Sequence, residues 1–300
     1  MASNLHFMGT VLSKARQEHD NSDDSTILGG AWSIPTPGPT TVRYGGNTAC
    51  VSVELGHGTF LGLDAGTGLR PLGEHLAAKD TDIFVLLSHA YWDHIQGFPF
   101  FAPIYQPHRK VSILPTRMGH TLWCPTLEQM DGLHFPVTPE DLPARVLCLK
   151  ERGLDVFQER DCRLSWIATN HRGGGTGYRI EHAGRSVVYL TDNELEPPYE
   201  KATSFDAFAE FCRHTDVLIH DAQYLPSDIP AKHGWGHSLV QQACQLAVAV
   251  EVKHLILFHH DPARTDDGLD AIQEESRAWI HTRNRHMQCT AAYEGLVVDI

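Results

Sequence analysis

The 300-residue chain is 42% hydrophobic and 20% charged, a balance that fits an ordinary globular protein and not a disordered one. A formal charge of −13 argues against a nucleic-acid partner, while a small anionic substrate stays open because a bound metal ion outweighs the global field locally. Seven cysteines, odd in number and never in a C-x-x-C pair, argue against a disulfide framework or a structural zinc ribbon and for a reducing compartment.

The N-terminal stretch "MASNLHFMGTVLSKARQEHD" has no apolar core of signal-peptide length, and no segment approaches a membrane span, so a cytoplasmic protein is expected. The first thirty residues are polar and include "DNSDDS", which predicts a loop, with residues 1–26 loosely held. "CVSVEL" (50–55) and "TFLGLDAG" (59–66) flank "GHG" and read as a hairpin. "DIFVLLSH" (82–89) is too short for a helix and reads as a buried strand delivering His89 at its C-terminal end. Phe98, Phe100 and Phe101 are expected in the core, and Trp92 packed under its loop. Residues 115–160 are irregular and aromatic, with Trp123 and His134 among them, and suggest a lid or substrate-facing insertion.

Further on, "RLSWIATNH" (163–171), "TGYRIEHAG" (176–184) and "RSVVYLTDNE" (185–194) read as consecutive strands. "TSFDAFAEFCRHT" (203–215) has helical spacing and a hydroxyl cap, and "TDVLIHDAQY" (215–224) is a strand with polar residues at its end. "GHSLVQQACQLAVAVEVK" (236–253) is a helix, "HLILFHHDP" (254–262) a strand, and "TDDGLDAIQEESRAWIHTRN" (265–284) a closing helix. The alternation predicts one α/β domain over 1–300, sheets in the middle and helices outside.

Polar clusters recur at the predicted strand ends: His89, Asp93 and His94; His171; Asp192; His220 and Asp221; His259 and His260. Strand-end loops are where a rigid scaffold places reactive groups. Imidazole and carboxylate donors without thiolates favour a catalytic ion such as zinc, manganese or iron. Two adjacent ions need a shared carboxylate, and Asp192 is placed for it.

The set resembles the metallo-β-lactamase superfamily, in the phosphodiesterase branch that includes the tRNA 3′-processing endonucleases. The family's loop H-x-H-x-D-H-x-x-G corresponds to "HAYWDHIQG", His89 to Gly97. "GPTTVRYGGNTACVSVEL" (38–55), "LDAGTGL" (63–69), "NHRGGGTGYRIE" (170–181), "YLTDNE" (189–194), "LIHDAQY" (218–224), "GWGHS" (234–238) and "LFHHDP" (257–262) follow in the family's order. The resemblance implies an αββα four-layer sandwich and two divalent ions, zinc first, manganese or iron also. One ion would take His89, His171, Asp192 and residue 91; the other Asp93, His94, Asp192 and His259. His237, oriented by Asp221 or His220, would be the general acid or a phosphate contact, and Asp93, His237 and Asp221 the catalytic groups. The resemblance leaves a homodimer open.

Tyr91 departs from the family's loop, where a second histidine stands. A phenol with a pKa near 10 is a poor ligand unless a cation favours its phenolate. Three readings stay open: phenolate ligation, a first site completed by water, and a fold kept for binding without hydrolysis. The expected activity is hydrolysis of small phosphodiesters such as cyclic nucleotides. Alternatives are a tRNA-processing endoribonuclease, disfavoured by the lack of a basic protruding arm, a lactone or thioester hydrolase, and a metal-binding sensor.

Overall fold

Strands such as Asp82–Leu86, buried at four consecutive positions, require a sheet covered on both faces. The structure, a computed structural model, describes residues 4–7, 26–27, 32–55, 58–114, 117–118, 121–122, 124–149, 155–158 and 160–300. Its first half contains β1 (Asn4–Phe7), β2 (Thr26–Ile27), β3 (Val51–Leu55), β4 (Thr59–Leu63), α1 (Leu69–Leu76), β5 (Asp82–Leu86), α2 (Trp92–Ile95) and β6 (Lys110–Leu114). A short hairpin of β7 (Arg117–Met118) and β8 (Thr121–Leu122) follows, then α3 (Pro125–Glu128), β9 (Arg145–Cys148) and α4 (Asp155–Gln158). The second half contains β10 (Cys162–Ala168), β11 (Thr176–His182), β12 (Arg185–Leu190), α5 (Phe205–Cys212), β13 (Val217–Asp221) and α6 (Val240–Ala249). It closes with β14 (His254–Phe258), α7 (Asp266–His281), β15 (Gln288–Ala291) and β16 (Val297–Asp299).

Two large sheets result, in the orders β1-β16-β2-β3-β4-β5-β6-β9 and β10-β11-β12-β13-β14-β15. In the first, β4, β5, β6 and β9 run parallel; in the second, β12 to β15 do. Side chains alternate between faces. Val51, Val53, Leu61, Phe84 and Leu86 meet Ile180, Val187, Ile219, Ile256 and Phe258 between the sheets. Their neighbours Phe60, Ile83, Val85 and Val111 pack outward against Leu69, Leu72 and Leu76 of α1. On the other side Val188, Leu218, Leu255 and Leu257 pack against Phe208 of α5, Leu246 of α6 and Leu269 of α7. Helix, sheet, sheet and helix stack as four layers, the αββα sandwich expected from sequence.

Local chemistry explains the boundaries. The β3–β4 hairpin forms as expected, though residues 56 and 57 lie outside the described residues. The β11–β12 turn places Ala183 and Gly184 at positive φ, the two-residue geometry that matches strand twist. Ser204 and Thr265 cap α5 and α7 by accepting from the Ala207 and Gly268 N–H groups.

Several expectations need correction. Phe98 and Phe101 are fully buried, but Phe100 is 57% exposed, and Trp92, at the first position of α2, is 67% exposed. Cys124 and Cys148, 24 residues apart, form a disulfide, against the expectation of none. They meet because β9 docks beside β6 and carries Cys148 back towards α3. The other five cysteines are free and buried. Of the first thirty-one residues only the two short strands are described, and β1 pairs antiparallel with β16. Trp123 lies outside the described residues, and His134 is exposed and paired with Asp131. Residues 124–149 lie along the first outer layer, with Met130 buried and the Gln129 side chain donating to the Ile95 carbonyl at 2.8 Å. No helix among the described residues is long and apolar enough to cross a membrane.

Burial holds His254 and His260 neutral, each pushed down to about 4; a nearby Arg277 adds to the effect at His254, and the Ala292 carbonyl partly offsets it at His260. The unfolded chain binds protons at these two sites near pH 6.5 and the folded chain does not until about 4, so folding stability rises with pH across that window. Melting temperature should therefore fall as pH drops from about 6.5 towards 4, with a shallower slope in His254→Gln, measured by scanning calorimetry.

Candidate metal centre

The parallel strands of both sheets end at one edge of the sandwich, and the polar residues follow them there, as in other open α/β sheets. β4 is followed by Asp64 and β5 by Ser88 and His89; α2 then carries Asp93 and His94. From the second sheet, β10 leads to His171, β12 to Asp192, β13 ends in Asp221, and β14 leads to His259. Asp64, Asp192 and His259 have φ of 63°, 49° and 60°. Three non-glycine residues in the left-handed region at three strand ends are strained, and the strain turns their side chains back over the edge.

The result is a cluster of buried donors. Asp93, His94, Asp192 and His259 bring one ligand atom each to within 4.8 Å of one another, and so do His89, His171 and Asp192. Asp192 is common to both groups. Its Oδ1 lies 3.6 Å from His89 Nε2, 3.9 Å from His171 Nε2 and 3.3 Å from His259 Nε2, and its Oδ2 lies 3.1 Å from His94 Nε2. Asp93 Oδ2 lies 3.2 Å from His94 Nε2 and 3.5 Å from His259 Nε2.

All four Nε2 atoms are buried and lack a hydrogen-bond partner. Burying a polar atom unpaired is costly, so four converging on two carboxylates call for a shared cation. The opposite ring nitrogens are all engaged. His94 Nδ1 donates to Asp64 Oδ2 at 2.8 Å. Ser88 Oγ donates its one proton to Asp64 Oδ2 at 2.7 Å and so accepts from His89 Nδ1 at 3.0 Å. His171 Nδ1 donates to the Gly236 carbonyl at 3.0 Å, and His259 Nδ1 meets the Gln223 side-chain amide at 2.8 Å. A proton on each of the three donating Nδ1 atoms leaves Nε2 a lone pair, the tautomer a metal ligand needs. Imidazole and carboxylate donors without thiolate suit zinc, manganese or iron.

The electrostatics agree. Burial lowers His89 and His171, keeping both neutral. At His94 and His259 burial acts in the same direction, but Asp192 and Asp93 overcome it and raise them, His259 to about 9. Carboxylates that hold protons on buried imidazoles would hold a cation there in their place.

At the rim, His237 Nδ1 meets Asp221 Oδ2 at 2.7 Å, and its ring stacks 4.8 Å from that of His259. The partner of His237 is thus Asp221; His220 faces the Asp221 carbonyl and Asn193 instead. His259 stands in the cluster, while His260 points away to the Ala292 carbonyl between Trp32 and Tyr44. Tyr91 packs its ring 4.7 Å from that of His89 and 5.2 Å from that of His171, and its hydroxyl donates to the Arg172 carbonyl at 2.5 Å. A donating phenol is a protonated one, so the arrangement is not that of a phenolate ligand. A Cβ added at Gly236, where φ is 97°, would lie 2.2 Å from His171 Nδ1. Only glycine leaves that ring room to turn.

Residues 62–260 match the beta-lactamase superfamily domain. The chain belongs to that superfamily. It is 31% identical over 128 residues to a ribonuclease Z from Thermoplasma acidophilum, a match covering 42% of this chain and 36% of that protein, so the chain spans about a third of this relative's length. Among solved structures it is similar to the metallo-beta-lactamase fold protein YhfI from Bacillus subtilis, with a TM-score of 0.63, 18% identity, and 91% and 97% of the two chains covered. A diphosphatase from the PhnP family superposes with a TM-score of 0.61 and 20% identity over 91% and 96% of the two chains. The fold is the metallo-β-lactamase fold.

Sequence reasoning did not single out Asp64, Ser88, Gln223 or Glu194. The "LDAGTGL" turn was a signal for Asp64, whose carboxylate accepts from the Ser88 N–H, the Ser88 hydroxyl, His94 and the Tyr189 hydroxyl. Asp64→Asn replaces one acceptor oxygen by a donor and should lower zinc affinity about 10–100-fold while the fold is kept, measured by calorimetric titration alongside far-UV circular dichroism.

Proposed function

We propose that this protein is a metal-dependent hydrolase of small phosphodiesters, of the cyclic-nucleotide type. The observation that carries the reading is the convergence of four unpartnered imidazole nitrogens on two carboxylates, beside a His237–Asp221 pair. His89, His171 and Asp192 would hold one divalent ion, and Asp93, His94, Asp192 and His259 a second, with zinc the first choice. When bound, such ions lower the pKa of a water and neutralise charge on phosphoryl oxygens.

The chain supplies the remaining chemistry. Asp221 accepts from the Ser238 N–H at 3.0 Å as well as binding His237, so its carboxylate is fixed and the imidazole with it. Holding Nδ1 in this way turns Nε2 towards the reacting groups, where it donates a proton to the leaving alkoxide as the P–O bond breaks. Asp93 would be a ligand of the second ion beside His94, Asp192 and His259. Tyr91, hydrogen-bonded elsewhere, leaves the first group with three donors from the chain.

Similarity to a ribonuclease supports a second reading, in which the phosphodiester belongs to RNA. The net charge of −13 does not decide against it, since a ribonuclease Z is among the chain's relatives.

Metal content of the purified protein, paired with turnover of bis(p-nitrophenyl) phosphate with and without zinc or manganese, tests the reading. Bound metal and metal-stimulated turnover are expected, with both lost in Asp192→Ala. His237→Ala should keep the metal and lose about 10²–10⁴-fold in kcat. Absence of metal and turnover, with Asp192→Ala matching the unaltered chain, would sink it; turnover of a precursor tRNA in preference to cyclic nucleotides would favour the RNA reading.

A further inference from the structure

Beside His171 opens a cavity of about 380 Å³ lined by Tyr91, His171, Arg172, His233 and Trp235. Small-molecule sites occupy about 300–1,000 Å³, so the space suits one compact ligand. Two of its walls are aromatic rings open to solvent, Tyr91 at 46% and Trp235 at 60% exposure. A solitary exposed aromatic residue needs no explanation. Trp235 does, because the backbone on either side of it is tied down from within.

Glu194, itself buried, accepts the Gly234 N–H at one oxygen and the Gly236 N–H at the other, both at 2.9 Å. Arg172 Nε donates to the Gly234 carbonyl at 2.7 Å, and His171 Nδ1 to the Gly236 carbonyl at 3.0 Å. The two glycines flanking Trp235, at φ of 83° and 97°, thus have both N–H and C=O engaged. These bonds fix the loop and leave the indole as the group that faces outward. Tyr91 joins the same chain of contacts through the Arg172 carbonyl. The terminal amino groups of Arg172 have no hydrogen-bond or ion-pair partner among the described residues, and its guanidinium lies 5.9 Å from the Tyr199 ring. Aromatic rings held next to a guanidinium whose terminal amino groups are unpartnered form a preorganised surface for a planar π system that carries an anion.

We propose that this cavity is a nucleobase subsite: the base of a nucleoside phosphate stacks on Trp235 and Tyr91 while its phosphate lies by Arg172 and the donor cluster. Bases stack on aromatic rings and on guanidinium planes, and every base has a π face to offer. The proposal rests on the phosphodiesterase reading for where the phosphate goes, and it is measured without turnover.

Adenosine monophosphate and ribose 5-phosphate share sugar and phosphate and differ by the base. Their equilibrium binding to the metal-loaded full chain, followed by tryptophan fluorescence and calorimetry, isolates its contribution. Adenosine monophosphate should bind about tenfold tighter or more. Trp235→Ala should erase that difference and leave ribose 5-phosphate affinity as it was, and Trp235→Phe should restore most of it. Arg172→Ala should weaken both ligands, since both carry the phosphate. Equal affinities in the unaltered chain, or an equal loss of both ligands in Trp235→Ala, overturns the subsite. A short single-stranded RNA identifies the source of the base: tighter Trp235-dependent binding than adenosine monophosphate assigns it to an RNA end, and equal or weaker binding to a free nucleotide. Failure of the phosphodiesterase reading looks different, with base discrimination present and no turnover of bis(p-nitrophenyl) phosphate.

Discussion

Two carboxylates, Asp93 and Asp192, are buried within reach of the same imidazoles, and the site is organised around neutralising them. An ionised carboxylate removed from water is unfavourable by far more than a hydrogen bond recovers, unless positive charge stands beside it. Burial acts to raise both groups, yet the surrounding histidines hold both well below the usual range. The cluster is therefore a place where positive charge is required, and the orientation of every imidazole follows from that requirement. Asp64 supports it one layer back by collecting four donors and turning His94, directly, and His89, through Ser88.

Much of this was legible in the sequence because it is carried by local pattern. Unbroken apolar runs announced strands buried on both faces, and polar residues directly after them announced a strand-end site. His89, Asp93, His94, His171, Asp192, Asp221, His237 and His259 meet in the structure as the family's motif order suggested. What was not legible depends on contacts distant along the chain. Tyr189 reaches Asp64 across 125 positions, and His171 reaches Gly236 across 65. Neither has a spacing rule. Phe100 and Trp92 face solvent, a direction that hydrophobicity alone does not reveal. The Cys124–Cys148 bond arises from the docking of the edge strand β9, a contact that has no local signal.

Tyr91 shows how one residue in a donor loop changes its role without disturbing the others. Its hydroxyl bonds to the backbone of the loop that carries His171, and Gly173, where a Cβ would lie 2.9 Å from that oxygen, makes room for it. The loop from the first sheet and the loop from the second are thereby joined at the rim as well as at the cluster. Arg172 extends the link to Gly234, so the Trp235 loop, the His171 loop and the Tyr91 loop hold one another in place.

Four of the six donors follow their strands by no more than three residues, from His259 directly after β14 to His89 and His171 three positions beyond β5 and β10, while Asp93 and His94 stand on α2. Adjacent positions of a strand point to opposite faces, so a pairing error of a single residue would turn a donor away from its partners. Donors from both sheets must be in step at once for the four nitrogens to converge. The edge of the sandwich therefore acts as a proof-reader of strand register: a chain whose sheets had slipped would still bury apolar residues, but it could not assemble this cluster.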